Sequence, residues 1–441
     1  MTVGAIEMTA ESGAVAGTRF AITADGMYAA RLTLRAPENG GPGAAGPAGG
    51  GPAGGGPAGG GPAAGEPGAA TAGAAEHDGA WFPERWTLGG PEPYAVSLPL
   101  DQPEEPGSEV LPLADGRVLI RRRVADRHDL SLLYPIGPGT GQLPVGSIEC
   151  AELTLLPPPP DGRCAYALSA SPHSTTIWLV AGGAFGPERI AEVRGRCSGG
   201  AWLDRTGRML ALDRETDGVV KAVAVDLERG GETTPLLQIT EDSNDRLLLA
   251  DADSGLLLIR SDAAGHDRLG WGVLGSLRPV RFPDCLRPAD YAVTPIAVQP
   301  GQVLMPESCA VALRIDGAAG SWVGLWRPAG KRLRHLPAPD GWLAGAGLWS
   351  ADGVLRLPYA TRAVPCGVAR LAVPANALLA GTEPGAGSGT GSGTGSGPAP
   401  ATHPAHPDWT GGESRAAPDT PAMWRPVPLQ QAPLTGRGAP G

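Results

Sequence analysis

The chain has 441 residues and a net charge of −10 with a sequence pI near 5.3, a balance that argues against non-specific binding to nucleic acid or to an anionic membrane. Hydrophobic residues make up 42%, enough for a buried core, yet no apolar run approaches the roughly eighteen residues of a membrane helix. The six cysteines (Cys150, Cys164, Cys197, Cys285, Cys309 and Cys366) form no Cys-x-x-Cys and have no histidine at ligand spacing, so the expectation is free thiols in a reducing cytoplasm, with no cofactor and no metal.

Taken in chain order, residues 1–9 lack the basic start and apolar core of a secretory leader. Their alternation over 2–8 suits an outer strand that pairs the two ends of the chain. A short turn, Asp25-Gly26, comes next. Residues 37–79 are then almost entirely Gly, Ala and Pro, with Pro47, Pro52, Pro57 and Pro62 spacing a Pro-Ala-Gly-Gly-Gly repeat. A period of five excludes collagen, and the segment reads as a flexible loop inserted into a hairpin.

Further turns ending in glycine follow at Asp115-Gly116, Asp161-Gly162, Thr206-Gly207, Ser254-Gly255, Pro300-Gly301 and Asp352-Gly353. The glycines are spaced by 90, 46, 45, 48, 46 and 52 residues. Only the first interval is anomalous, and setting residues 37–79 aside restores it to the common length. After the turn come runs such as 118–120, 209–212 and 256–259, apolar on both parities, as for strands buried on both faces. A second run follows at 176–180, 219–225, 322–326 and 367–373. A third, more alternating, lies at 94–98 and 333–336, as for a half-exposed outer strand. Asp-Gly supplies the positive φ that a tight turn demands. The pattern predicts an all-β chain: a seven-bladed β-propeller over residues 1–375 with the Gly/Pro-rich insertion 37–79 in its first blade, then a disordered Gly/Ser/Pro-rich tail over 376–441.

The turns carry a resemblance. Trp349-Ser350-Ala351-Asp352-Gly353, with 160–163 and 114–117 supplying its second half, resembles the repeat of TolB-like and prolyl-oligopeptidase-type propellers, in which a Trp-Ser-Pro-Asp-Gly-Lys turn precedes an apolar strand. The likeness runs as a pattern over residues 10–375. Residues 202–208 depart by one extra residue, and the next two units lack the Asp. The Gly-His and Trp-Asp pairing of WD40 repeats is absent. In such peptidases the propeller stands beside an α/β-hydrolase with a Gly-x-Ser-x-Gly elbow. Ser388, Ser392 and Ser396 do not fit that spacing, so the resemblance implies a propeller without its enzyme.

Candidate site residues lie in the loops that join second to third strands: Arg121, Arg122, Arg123, Arg127 and His128, then His173, Arg214 with Glu215, and His266, Asp267 and Arg268. Solvated loop charge accounts for each separately. Taken together, Arg121, Arg123, Arg127, His128, His266 and Arg268 suggest a non-enzymatic scaffold for a protein partner with an acidic surface. Arginine forks suit carboxylates, and His128 would add sensitivity to pH near neutrality. The alternative, a propeller-type small-molecule hydrolase or lactonase, requires carboxylates and histidine to converge, with Asp204, Asp213 and His266 as the groups concerned. Residues 251–255 look like half of a calcium loop but lack the bidentate Glu, so an ordinary turn is expected. Trp202, Trp271, Trp322, Trp326, Trp342 and Trp349 are expected in the core. In the tail, His403 and His406 have no third ligand nearby, and residues 424–429 are its only stretch with much apolar surface.

Shortening a loop of this length changes closure entropy only logarithmically. Deleting residues 40–65 should therefore shift stability by less than about 1 kcal/mol, read as an unchanged midpoint in urea titration.

Overall fold

The computed structural model describes residues 20–35, 80–300, 305–343 and 345–372. They are all-β, with no α-helix among the described residues. The first sheet runs β1 (Ala21–Ile22), β2 (Tyr28–Arg35), β3 (Ala80–Thr87) and β4 (Tyr94–Ser97). The second is β5 (Glu109–Pro112), β6 (Val118–Val124), β7 (Arg127–Ile136) and β8 (Gly139–Glu149). The third is β9 (Thr154–Leu155), β10 (Ala165–Ala170), β11 (Ser174–Ala181) and β12 (Glu188–Arg194).

A seven-stranded sheet follows. Four of its strands, β13 (Arg196–Trp202), β14 (Met209–Thr216), β15 (Val219–Asp226) and β16 (Glu232–Leu237), meet three others, β17 (Asp245–Ala250), β18 (Leu256–Ser261) and β19 (Arg268–Val273). The two parts are joined by a single parallel pairing, Lys221 with Asp245. The next sheet is β20 (Ala292–Val298), β21 (Val311–Gly317), β22 (Gly320–Trp326) and β23 (Arg334–Leu336). The last is β24 (Leu348–Trp349), β25 (Val354–Tyr359) and β26 (Gly367–Ala372). Successive strands pair antiparallel. This organisation, several small antiparallel sheets in sequence order, is consistent with the expected propeller.

The glycine turns are built alike. Gly26, Gly116, Gly162 and Gly353 have φ of 70°, 82°, 62° and 79°, and each amide donates to the carbonyl three residues back. Asp25, Asp115 and Asp161 accept the amide two residues on, at 2.9, 3.0 and 3.1 Å. Asp-Gly is thus one device: the carboxylate fixes the turn and the glycine takes the conformation that other residues avoid. In the unit with the extra residue, Asp204 reaches over it to the amides of Arg208 and Met209. In the sixth unit Gly301 and the run that follows it lie outside the described residues, and β21 begins at Val311.

Packing explains why the runs after the turns are apolar on both parities. Along β18, Leu256 and Leu258 enter one hydrophobic cluster while Leu257 and Ile259 enter another. β14 divides Leu210 and Leu212 from Met209 and Ala211 in the same way. Alternate side chains leave opposite faces of a strand, so a sheet lying between two neighbours must be apolar on both. Each cluster joins consecutive units, and one joins the last sheet to the first: Ala29, Trp86 and Phe20 pack with Leu343, Ala360, Cys366 and Val368. Arg35 pairs with Ala80, so residues 36–79 connect neighbouring antiparallel strands. The pairing strand expected over residues 2–8, the segment 37–79 and the tail lie outside the described residues.

Trp202 is 8% exposed, packs with Tyr166 and Leu156, and donates its indole N–H to the Pro157 carbonyl at 3.1 Å. Trp202→Ala would leave a cavity and an orphaned carbonyl between two sheets. It should cost about 3–5 kcal/mol, measured by urea unfolding against the deletion of 40–65.

Candidate functional site

The basic hairpin joins β6 to β7, and strand alternation divides its arginines. Arg121 and His128 are buried, 8% and 2% exposed. Arg121 lies 3.3 Å from the Glu109 carboxylate, donates to the Gly107 carbonyl at 3.0 Å, and donates to His128 Nδ1 at 3.1 Å. Since a guanidinium only donates, His128 accepts at Nδ1 and carries its proton on Nε2. Burial, and then the Arg121 charge, hold the His128 pKa below the usual histidine value. His128 is therefore a neutral buried ring rather than an exposed sensor near neutrality.

Arg122 points to the other face and grips buried Glu104 with two bonds of 2.7 and 2.8 Å. Arg123 is exposed, and half-exposed Arg127 pairs with Asp129 at 3.0 Å. Of the four candidates on this hairpin, two form a buried brace and two stand at the surface.

His266 is exposed in the hairpin between β18 and β19. Arg268 turns along its sheet instead, donating to the Phe282 carbonyl at 3.1 Å and to Asp284 at 2.7 Å. These residues belong to a different sheet from the β6–β7 hairpin, and none of their hydrogen bonds or ion pairs joins the two groups. Nor do the groups a hydrolase would need converge. Asp204 holds its own turn, His266 sits in its hairpin, and Asp213 lies buried between β14 and β17. Among the described residues no cluster of three His, Cys, Asp or Glu side chains is placed to hold a metal. Residues 251–255 form a turn in which Asp251 accepts from Ser254.

Two acids have a role that the sequence did not reveal. Glu109 accepts the amide of Leu155 at 2.9 Å, and Asp213 accepts that of Leu247 at 2.9 Å. In each case a carboxylate of one unit satisfies a backbone donor on the first strand of the next. Lys221 belongs to a third such junction: its Nζ donates to Asp245 at 2.8 Å and also to the Ser243 and Thr240 carbonyls, while Ser261 and Ser243 donate to Asp245, which is wholly buried. One sequence signal pointed here, for Lys221 is one of only two lysines in the chain.

Sequence reasoning also missed a cleft beside β19. Beyond this strand the chain makes no fourth strand, only one bridge in which Trp271 and Arg281 exchange both backbone bonds at 2.9 Å. The Arg281 guanidinium lies 4.9 Å from the centre of the buried Trp271 ring. Two openings share these residues as a wall. One, of about 250 Å³, reaches Arg278, Pro306 and Glu307; the other, of about 390 Å³, reaches Pro283, Pro328 and Lys331.

All six cysteines are free. Burial, with the Glu84 charge, pushes the Cys366 thiol up to about 11, so it stays protonated. No described helix is long and apolar enough to cross a membrane.

No family model matches the chain, and no curated protein matches it. Solved structures do. A prolyl endopeptidase is 14% identical, with 66% of this chain aligned to 45% of that one at a TM-score of 0.44. The acylaminoacyl peptidase of Pyrococcus horikoshii is 11% identical, 80% aligned to 51%, at 0.46. TolB from Acinetobacter baumannii is 10% identical, 66% aligned to 76%, at 0.37. The chain therefore spans about half the length of the two peptidases. The similarity is one of TolB-like propeller fold at low sequence identity.

Burial raises the Asp213 pKa to about 6, against the Leu247 bond and the Arg246 charge, which lower it. A raised carboxyl pKa means the folded state prefers the protonated acid. The stabilisation is complete below the unfolded value near 3.8 and is lost as pH rises through about 6. Asp213→Asn keeps an acceptor for Leu247 but cannot ionise. It should match wild type near pH 4 and be the more stable at about pH 7.5, by at most roughly 3 kcal/mol. Thermal melts at the two pH values test this, and an equal difference at both would refute it.

Proposed function

We propose that this chain is a seven-bladed β-propeller, its first blade interrupted by residues 37–79, that acts in the cytoplasm as a non-enzymatic scaffold for a protein partner with an acidic surface. The observation that carries this is the chain of hydrophobic clusters. Each links consecutive units, and the last links residues 343–368 back to Phe20 and Trp86. Counting the four-stranded and three-stranded parts of the long sheet separately gives one unit per glycine turn. A closed ring of this kind holds every hairpin on a rigid base, which is what a binding surface requires.

The contact region includes Arg123 and Arg127. Their hairpin is braced from beneath by Arg121, His128 and Glu109, so the exposed pair is presented without the flexibility of a long loop. Arginine at the surface of a chain of net charge −10 favours a particular acidic patch over bulk polyanion.

The test is affinity capture from the native cell with wild type and with Arg123→Glu/Arg127→Glu, after circular dichroism has shown both to be folded. The variant should lose a defined partner, and capture by the wild type should weaken with salt. The same proteins captured by both would remove this hairpin from the contact.

A further inference from the structure

We propose that the cleft walled by Trp271 and Arg281 binds a carboxylate carried on a flat or aliphatic body. Charge is the first argument. Two carboxylates at the cleft are already engaged: Glu307 faces Arg278 at 3.6 Å, and Asp284 faces Arg268 at 2.7 Å. Arg281 and Lys331, which share the 390 Å³ opening, have no ion-pair partner among the described residues. The opening therefore presents two uncompensated cations in an acidic chain.

Geometry is the second. Arg281 is tied to β19 through both backbone bonds to Trp271, and its guanidinium rests on the indole at 4.9 Å. A guanidinium placed over the ring still has N–H groups for an incoming group, and its fork matches the two oxygens of a carboxylate. Fixing the fork in advance lowers the ordering cost of binding. The volume lies within the range of small-ligand sites.

The walls set the rest of the ligand. Pro283 and Pro328 line the same opening as Trp271. Rigid rings offer apolar contact but no amide hydrogen, so selectivity falls on the charged end and on the shape of the body. A free organic acid and the C-terminus of a peptide share this chemistry.

The experiment titrates the full chain by calorimetry with benzoate, with octanoate, and with one tripeptide ending in phenylalanine, prepared as free acid and as amide. At least one acid should bind saturably, its amide counterpart should not, and Arg281→Gln or Lys331→Gln should weaken it about tenfold or more. Both side chains are exposed, so Lys331→Gln should leave the melting temperature where it is, and Arg281→Gln, which gives up its contact with the Trp271 ring, should lower it by no more than a few degrees. Binding by benzoate or octanoate but not by the peptide acid assigns the site to small acids, and the reverse assigns it to a peptide terminus. No saturable binding by any probe at millimolar concentration, equal binding of acid and amide, or affinity unchanged in Arg281→Gln would each overturn the proposal. The hairpin of Arg123 and Arg127 is untouched by these variants, so this site and the scaffold proposal stand or fall separately.

Discussion

The structure depends on the contact between its last and first sheets. A row of small sheets, each apolar on both faces, would otherwise leave one apolar face open at either end. Here Trp86 fills that junction, wholly buried, with Phe20 edge-on to its ring at 5.0 Å and Val368, Cys366 and Leu343 opposite. The Trp86 indole donates to Glu84 at 2.8 Å, and Glu84 in turn pairs with Arg31 at 2.7 Å. The large apolar ring is thus buried without stranding its polar atom. Gly26 lies at the same junction: its φ of 70° disfavours other residues, and a Cβ there would press on the end of the Leu348 side chain of the last sheet, which would have to shift.

Apolar packing between units sets no register along the strands, and carboxylates at the junctions supply one. Glu109 and Asp245 bond to groups of both neighbouring units, and Asp213 reaches from its own unit to the Leu247 amide and Arg246 of the next. Hydrogen bonds are directional where apolar contact is not. A slip of one residue would leave the buried Asp213 and Asp245 without partners, at several kcal/mol each. Arg121 is recruited to the same task. Its guanidinium answers Glu109 and crosses to His128, so a residue with the appearance of a binding group is part of the frame.

How far the sequence could be read follows from the same physics. The Asp-Gly turns and the runs apolar on both parities are local, and each reflects a constraint that acts within a few residues; the strands at 118, 209, 256 and 354 stand where those signals put them. Burial of Arg121 and His128 was not legible, because three consecutive arginines look like solvent-exposed charge until Glu109, on another strand, is placed beside the first. In the sixth unit the run after Gly301 lies outside the described residues, while β21 shows the same two-faced packing: Val311, Leu313 and Ile315 meet the preceding unit and Ala312 the next.

The cleft shows the converse, a surface feature produced by a gap in the repeat. Where the fourth strand of its sheet would lie, the chain carries Pro279 and Pro283 on either side of Arg281. Proline has no amide hydrogen, so a segment with proline two residues to each side can hold one bridge but cannot extend it into a ladder. The bridge survives at Arg281 alone. Gly270 then lets this irregular segment approach β19, for a Cβ there would stand 2.8 Å from the Phe282 ring and 3.0 Å from the Arg281 carbonyl. The edge of Trp271 that a regular strand would have covered is left to an arginine stacked on its ring. In a fold whose other junctions are sealed by apolar clusters and buried ion pairs, an opening with a fixed cation arises where the repeat fails to complete itself.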